Sequence, residues 1–231
     1  MNDFWVGFEK QAKKKKDKDK PLPNAAAAGL NLLAGIGINV PAYSGATHLQ
    51  KLDHTMSSAE AKKFMKAVQE ARGLQTKAQF GFQGGESYHI PNDTVRVPKR
   101  PGSGALAHEL GHAASAGKIW RSGRLGRAYL GADILGHKLS PLATPLALLS
   151  NTETGDKIAP YASLALATPT ILEEASASLK GLRDLNRFKG TGAALRAMPG
   201  LAGAFGTYLA TPALMAYLAK RHVDKKKEKS K

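Results

Sequence analysis

Apolar positions recur with two different periods along the chain, and each period predicts a different element. Between residues 58 and 72, Phe64, Met65 and Val68 share one face of a helix while Lys62, Lys63, Lys66 and Glu70 point elsewhere. Ser57 and Glu60 are spaced as a capping box that starts this helix, and Gly73 supplies the left-handed residue that ends it. Residues 78 to 98 change to alternation: Gln79-Phe80-Gly81-Phe82, Ser87-Tyr88-His89-Ile90 and Thr94-Val95-Arg96-Val97. The Pro91-Asn92-Asp93 cluster between the last two runs is turn chemistry, so a small antiparallel sheet is expected. From Gly104 onward the spacing is helical throughout.

Uncharged blocks punctuate the helical region. Residues 139–149 and 158–172 flank the polar stretch from Ser150 to Asp156, which predicts a helical hairpin. Residues 197–219 form 23 positions without a charge, and residues 25–47 form another such stretch. Both are long enough to span a bilayer as helices, although glycines and prolines make them only mildly hydrophobic; the block at 197–219 is the better candidate. The expected fold is mainly α with a small antiparallel β-sheet, an α+β class. It divides into a basic tail and linker over 1–23, a catalytic domain with apolar helices over 24–220, and a basic tail over 221–231.

Composition narrows the chemistry. With no cysteine in 231 residues, disulfides, thiolate metal sites and cysteine nucleophiles are all excluded, and any metal must be held by His, Asp or Glu. The net charge of +16 suggests nucleic acid at first sight, but its distribution points elsewhere. Residues 1–20 carry seven Lys against four acids, and residues 220–231 carry seven Lys or Arg against two. Such short Lys-rich ends beside apolar segments suit anionic lipid head groups, and without aromatics among the lysines they offer no stacking platform for bases. Nucleic acid is therefore not the expected partner. Phe4, Trp5, Val6 and Phe8 form a possible interfacial anchor, and no cleavable signal peptide is expected because Asn2, Asp3 and Glu9 interrupt the start.

The chemistry lies in His108-Glu109-Leu110-Gly111-His112. On a helix, His108 and His112 project from one face a turn apart and can bind one tetrahedral ion, while Glu109 is placed as a general base rather than a ligand. Leu110 can enter the core, and Gly111 permits close approach of a neighbour. A third ligand is expected from Glu173 or Glu174, which follow the uncharged stretch 158–172 and whose carboxylates need a partner there. Ile171, Ala175 and Ser178 recur at spacings of four and three, which places position 174 or 175 on the packed face and turns Glu173 further from it, so Glu174 is the expected ligand; His137 is the next candidate.

With these residues in view, the sequence resembles the YugP-like membrane-associated neutral zinc metallopeptidases, whose site is similar to that of HtpX-like gluzincins. The resemblance lies in Thr55 to Glu60 opening a helix, Tyr88 to Pro98 as a hairpin, and Ala107 to Ala113 around the motif. It continues with a Glu-x-x-Ala-Ser pattern at Glu174, Ala177 and Ser178, and with Tyr208 to Tyr217 in a terminal apolar helix. It covers roughly residues 50–219, and only the two metal motifs are specific; Ser176 stands where the family often has an acid. The resemblance implies a minimal zincin core among membrane helices, with zinc (Zn2+) held by His108, His112 and Glu174.

The expected activity is that of a zinc-dependent endopeptidase acting on a peptide or protein substrate by a metal-activated water, with Glu109 as the base. The strand Thr94–Val97 is expected to bind extended peptide by strand addition. His137, Arg183 and Tyr161 are candidate oxyanion donors, whereas His48, His54, His89 and His222 have no partner at ligand spacing. The expected location is a membrane, with both basic termini cytoplasmic. The rival reading is a non-catalytic membrane or structural protein that keeps a zincin-like scaffold.

Overall fold

The computed structural model describes residues 53–229. The N-terminal tail and anchor, the uncharged stretch 25–47 and His48 lie outside the described residues. Helix α1 (Ser58–Arg72) starts and stops where its sequence dictates. The Ser57 side chain accepts from the Glu60 N–H, the Glu60 carboxylate accepts from the Ser57 N–H, and Gly73 closes the end at φ 63°.

Strands β1 (Lys77–Phe80), β2 (Ser87–His89) and β3 (Thr94–Val97) form one small sheet in the order β1-β3-β2. The expected hairpin is present: β2 runs antiparallel to β3 with Tyr88 opposite Val95, joined by a 3-10 turn at Ile90–Asn92 and by Asp93 in the left-handed region at φ 46°. The sheet as a whole is mixed, not antiparallel, because β1 pairs with β3 in parallel from Lys77 opposite Thr94 to Phe80 opposite Val97. Residues 81–86, with Gly81 at φ 78°, carry the chain across to start β2 on the far side of β3. Val95 and Val97 point inward and are fully buried with Phe64, Met65 and Val68 of α1.

The remaining elements are helical: α2 (Ser103–Ala114), α3 (Ala116–Arg121), α4 (Arg124–Leu149), α5 (Glu153–Lys189) and α6 (Thr191–Lys229). The predicted hairpin is formed by α4 and α5, with a shorter turn than the polar stretch suggested. Thr152 caps α5 by accepting from the Gly155 N–H at 2.9 Å, which recruits Glu153 to Lys157 into the helix. Helix α2 contributes Leu106 and Leu110 to the core beside the sheet, and Leu185 of α5 packs there too. Helix α6 is long and apolar enough to cross a membrane.

Candidate metal centre

Helix α2 carries the motif, and its first turn is held by two acids from earlier in the chain. Asp53 accepts from the Ser103 hydroxyl at 2.7 Å and from the Gly104 N–H at 2.5 Å, while Glu86 accepts from the Gly102 N–H at 2.6 Å. These bonds satisfy N–H groups that a helix start leaves without partners, and they place negative charge at the positive end of the helix dipole. The motif helix is thus fixed to the connection between β1 and β2 and to the approach to α1.

What brings α5 to α2 is the absence of two side chains. A Cβ on Gly111 would lie 2.2 Å from the Ala177 carbonyl oxygen, and one on Gly181 would lie 2.8 Å from the Ala107 carbonyl carbon. The two backbones therefore touch one helical turn apart on α5, and Glu174, one turn before Ala177, reaches the histidines. Gly111 has the close-approach role its sequence position suggested.

The structure places the three expected ligands together. His108 Nε2 and His112 Nε2 are 3.0 Å apart, and Glu174 Oε2 is 3.2 Å from the first and 3.6 Å from the second. An ion held at about 2.0–2.1 Å by tetrahedral nitrogen and oxygen ligands requires those ligands to be about 3.4 Å from one another. The triangle matches that edge length, so the donor set fits a small divalent cation. Each imidazole is also oriented from behind. His108 Nδ1 lies 3.1 Å from the Ser178 hydroxyl, and His112 Nδ1 lies 3.0 Å from Glu173 Oε1. When the rings are neutral, donation from Nδ1 would leave each Nε2 lone pair for the common point, the tautomer that a metal ligand needs.

Glu173 corrects an expectation. The sequence spacing turns it away from the site, whereas its carboxylate accepts from both His112 and the Ser115 hydroxyl, the latter at 2.6 Å. The close crossing of α5 over α2 puts His112 between positions 173 and 174, so side chains 100° apart on α5 reach its two ring nitrogens from different sides. The signal available in the sequence was the adjacency of two glutamates beside a stretch without charge.

Glu109 stands beside the triangle rather than in it. Its Oε2 accepts the Tyr88 backbone N–H at 2.6 Å, which ties the motif helix to β2. Burial pushes the Glu109 pKa up, against the pull of His112 and His108. Burial also disfavours the His112 imidazolium, but its hydrogen bonds to Glu173 and Glu174 outweigh that and push its pKa up to about 10.

Of the candidate oxyanion donors, Tyr161 and Arg183 lie on α5 about 20 Å and about 14 Å along the axis from Glu174, too far to serve. His137 falls on α4. The aromatic hydroxyl that does reach the centre is Tyr208 of α6, which hydrogen-bonds Glu174. Its sequence signal was weak, one of two tyrosines within the uncharged block 197–219. Strand β3 cannot accept an added strand, because β1 and β2 occupy both of its edges. The strand next to the centre is β2. In comparisons with known proteins, no family, no curated protein and no solved structure matches the chain, so the functional reading stands on these residues and their geometry.

Proposed function

We propose that the protein is a zinc-dependent endopeptidase, with His108, His112 and Glu174 holding the ion and Glu109 as general base. The observation that carries this reading is the triangle of Nε2, Nε2 and Oε2 atoms with a fourth residue beside it, the acid Glu109, that stands outside the triangle. A zinc ion at that point supplies Lewis acidity toward a carbonyl oxygen and makes water a nucleophile near neutral pH. The chain's own residues do the rest. Glu109 is anchored through Oε2 to the Tyr88 N–H, so its Oε1 is free to take a proton on the nucleophile's side and hand it to the leaving amine. Glu173 and Ser178 keep both imidazoles in register through the cycle. Tyr208 is the hydroxyl placed to donate to developing negative charge on the carbonyl oxygen once its bond to Glu174 is exchanged.

Substrate in this reading is extended peptide backbone, aligned along the outer edge of β2, where the Tyr88 N–H already faces Glu109. The apolar length of α6 supports attachment to a membrane, with the Lys-rich C-terminal end on the cytoplasmic side by the positive-inside tendency.

The test is metal analysis and peptide cleavage by purified protein and its Glu109→Gln variant. Stoichiometric zinc in both, with turnover only in the wild type, is the expected result. Zinc without turnover in either would favour a scaffold that binds metal but does not cleave. Absence of zinc from both would overturn the assignment.

A further inference from the structure

In most of the bundle formed by α4 and the first half of α5, large apolar side chains face outward and small or polar ones face inward. Leu139, Leu142, Leu146, Ile158, Leu164 and Leu172 are between 36 and 64% exposed. Between the two helices lie Ser140, Thr144, Ala159, Ser163 and Ala167, all buried. The interior is held by polar bonds: the Thr144 hydroxyl donates to the Ala159 carbonyl at 2.9 Å, Ser163 donates to Thr144 at 2.9 Å, and Thr170 donates to buried Asp133 at 2.6 Å. Among the described residues, exposed large apolar side chains come from α4 onward. No exposed large apolar side chain comes from residues 53–124, where Phe64, Met65, Val95 and Leu106 fill an ordinary core.

Water rewards the opposite arrangement, because burying leucine and exposing serine both lower the free energy. In lipid, leucine outside costs nothing, while small residues inside allow helices to approach closely and bond across their interface. We infer that the outer face of the α4–α5 hairpin is embedded in a lipid bilayer, although among the described residues hydropathy singles out α6 alone as a possible span. The inference deepens the membrane attachment proposed above and rests on it.

The charges on the page fit two head-group layers. At one end of the apolar band stands Lys157, where Lys226 binds Asp156 at 2.6 Å and ties the end of α6 to the start of α5, with Lys220 and Arg221 about one helical turn inside that end on α6. At the other end stand Arg124 and Arg127, the second lying over the Trp120 ring, an aromatic of the kind found at membrane interfaces. A second copy of the chain packed on this face, in either direction, would set basic ends against basic ends. On α5 the band runs from Ile158 to Leu172, about 22 Å, which is thin for a bilayer core. Lys138 on α4 is an exposed charge within it. It lies between the levels of the Asp133–Thr170 and Thr144–Ser163 bonds, about 8 Å inside Leu172, within the snorkelling reach of its own stem. Because Glu173 and Glu174 follow Leu172 directly, the metal centre lies at the end of the α5 band.

The chain has no cysteine, so single-cysteine variants give clean probes. Full-length Leu142→Cys, Leu164→Cys and Lys63→Cys would each carry a bimane label in vesicles of phosphatidylcholine and phosphatidylglycerol. The expected result is that labels at 142 and 164 lose emission to doxyl-labelled lipid and are shielded from aqueous iodide, with the reverse at 63. Iodide quenching at 142 and 164 as strong as at 63 would overturn the inference. So would shielding that persists in a lipid-free, detergent-free oligomer, which would show a second copy on the face. Iodide access gained in vesicles when residues 25–47 are deleted would overturn it as well, because the chain's own segment would then be the cover. Zinc content of the same preparations reports separately on the metal site, so failure of the lipid face and failure of the peptidase reading are distinguishable.

Discussion

At the scale of single residues, the site is asymmetric: one imidazole is backed by a carboxylate and the other by a hydroxyl. A hydrogen bond to a charged acceptor is about twice as strong as one between neutral groups, so Glu173 orients His112 more firmly than Ser178 orients His108. Glu173→Gln is expected to weaken zinc binding by about 10–100-fold and Ser178→Ala by less, measured by competition with a chromophoric chelator. Glu174→Ala removes a ligand and should weaken it further than either. Proton linkage gives a second expectation. Without an ion, His112 is held protonated up to a pKa of about 10, so at pH 7 metal binding must displace that proton from it. Zinc addition should therefore release at least one proton, and apparent affinity should fall about tenfold for each unit that pH is lowered below 10. Calorimetry in buffers of different ionisation enthalpy measures the release; binding without it would show that His112 is neutral in the free protein.

At the scale of elements, the centre depends on how closely two helices cross. Gly111→Ala and Gly181→Ala each force a methyl group into facing backbone, which cannot yield as a side-chain tip does. Both variants are expected to keep the helical circular dichroism of the wild type while losing most of their zinc affinity, because α2 and α5 are pushed apart and Glu174 moves with α5. Retained zinc affinity in both would show that the crossing is not what assembles the ligands. The start of α2 offers a milder perturbation. Asp53→Ala deletes acceptors for Ser103 and Gly104 and should cost about 1–2 kcal/mol, lowering the melting temperature by about 2–8 °C.

At the scale of the molecule, the described residues form two differently packed halves, and the candidate metal centre lies where they meet. The ordinary core of α1, the sheet and α2 is joined to the bundle through the α2–α5 crossing, and an ion held by His108, His112 and Glu174 would tie the halves together. A ligand at about a thousand times its dissociation constant stabilises the state that binds it by about 4 kcal/mol. Chelation should therefore lower the melting temperature of the detergent-solubilised protein by several degrees, and zinc should restore it. The shift should vanish in Glu174→Ala. A shift of the same size in that variant would place the stabilising ion elsewhere.

The sequence determined what is local. The capping box and closing glycine set α1, Pro91-Asn92-Asp93 set the hairpin, and the i, i+4 spacing set two imidazoles on one face of a helix, because each depends only on neighbours along the chain. The grouping of Glu174 with the two histidines was legible too, since an acid at the edge of an uncharged stretch must find a partner. What only the tertiary structure decided depends on which surfaces meet. Strand β1 lies parallel to β3 because residues 81–86 cross to the far edge, a choice that alternation along a strand does not encode. Glu173 faces His112 because the glycine-lined crossing brings α5 near enough for two successive positions to reach one ring. The outward leucines of α4 and α5 likewise have the spacing of a buried face. Only the placement of Ser140, Thr144 and Ser163 between the helices shows that the apolar side is the outside.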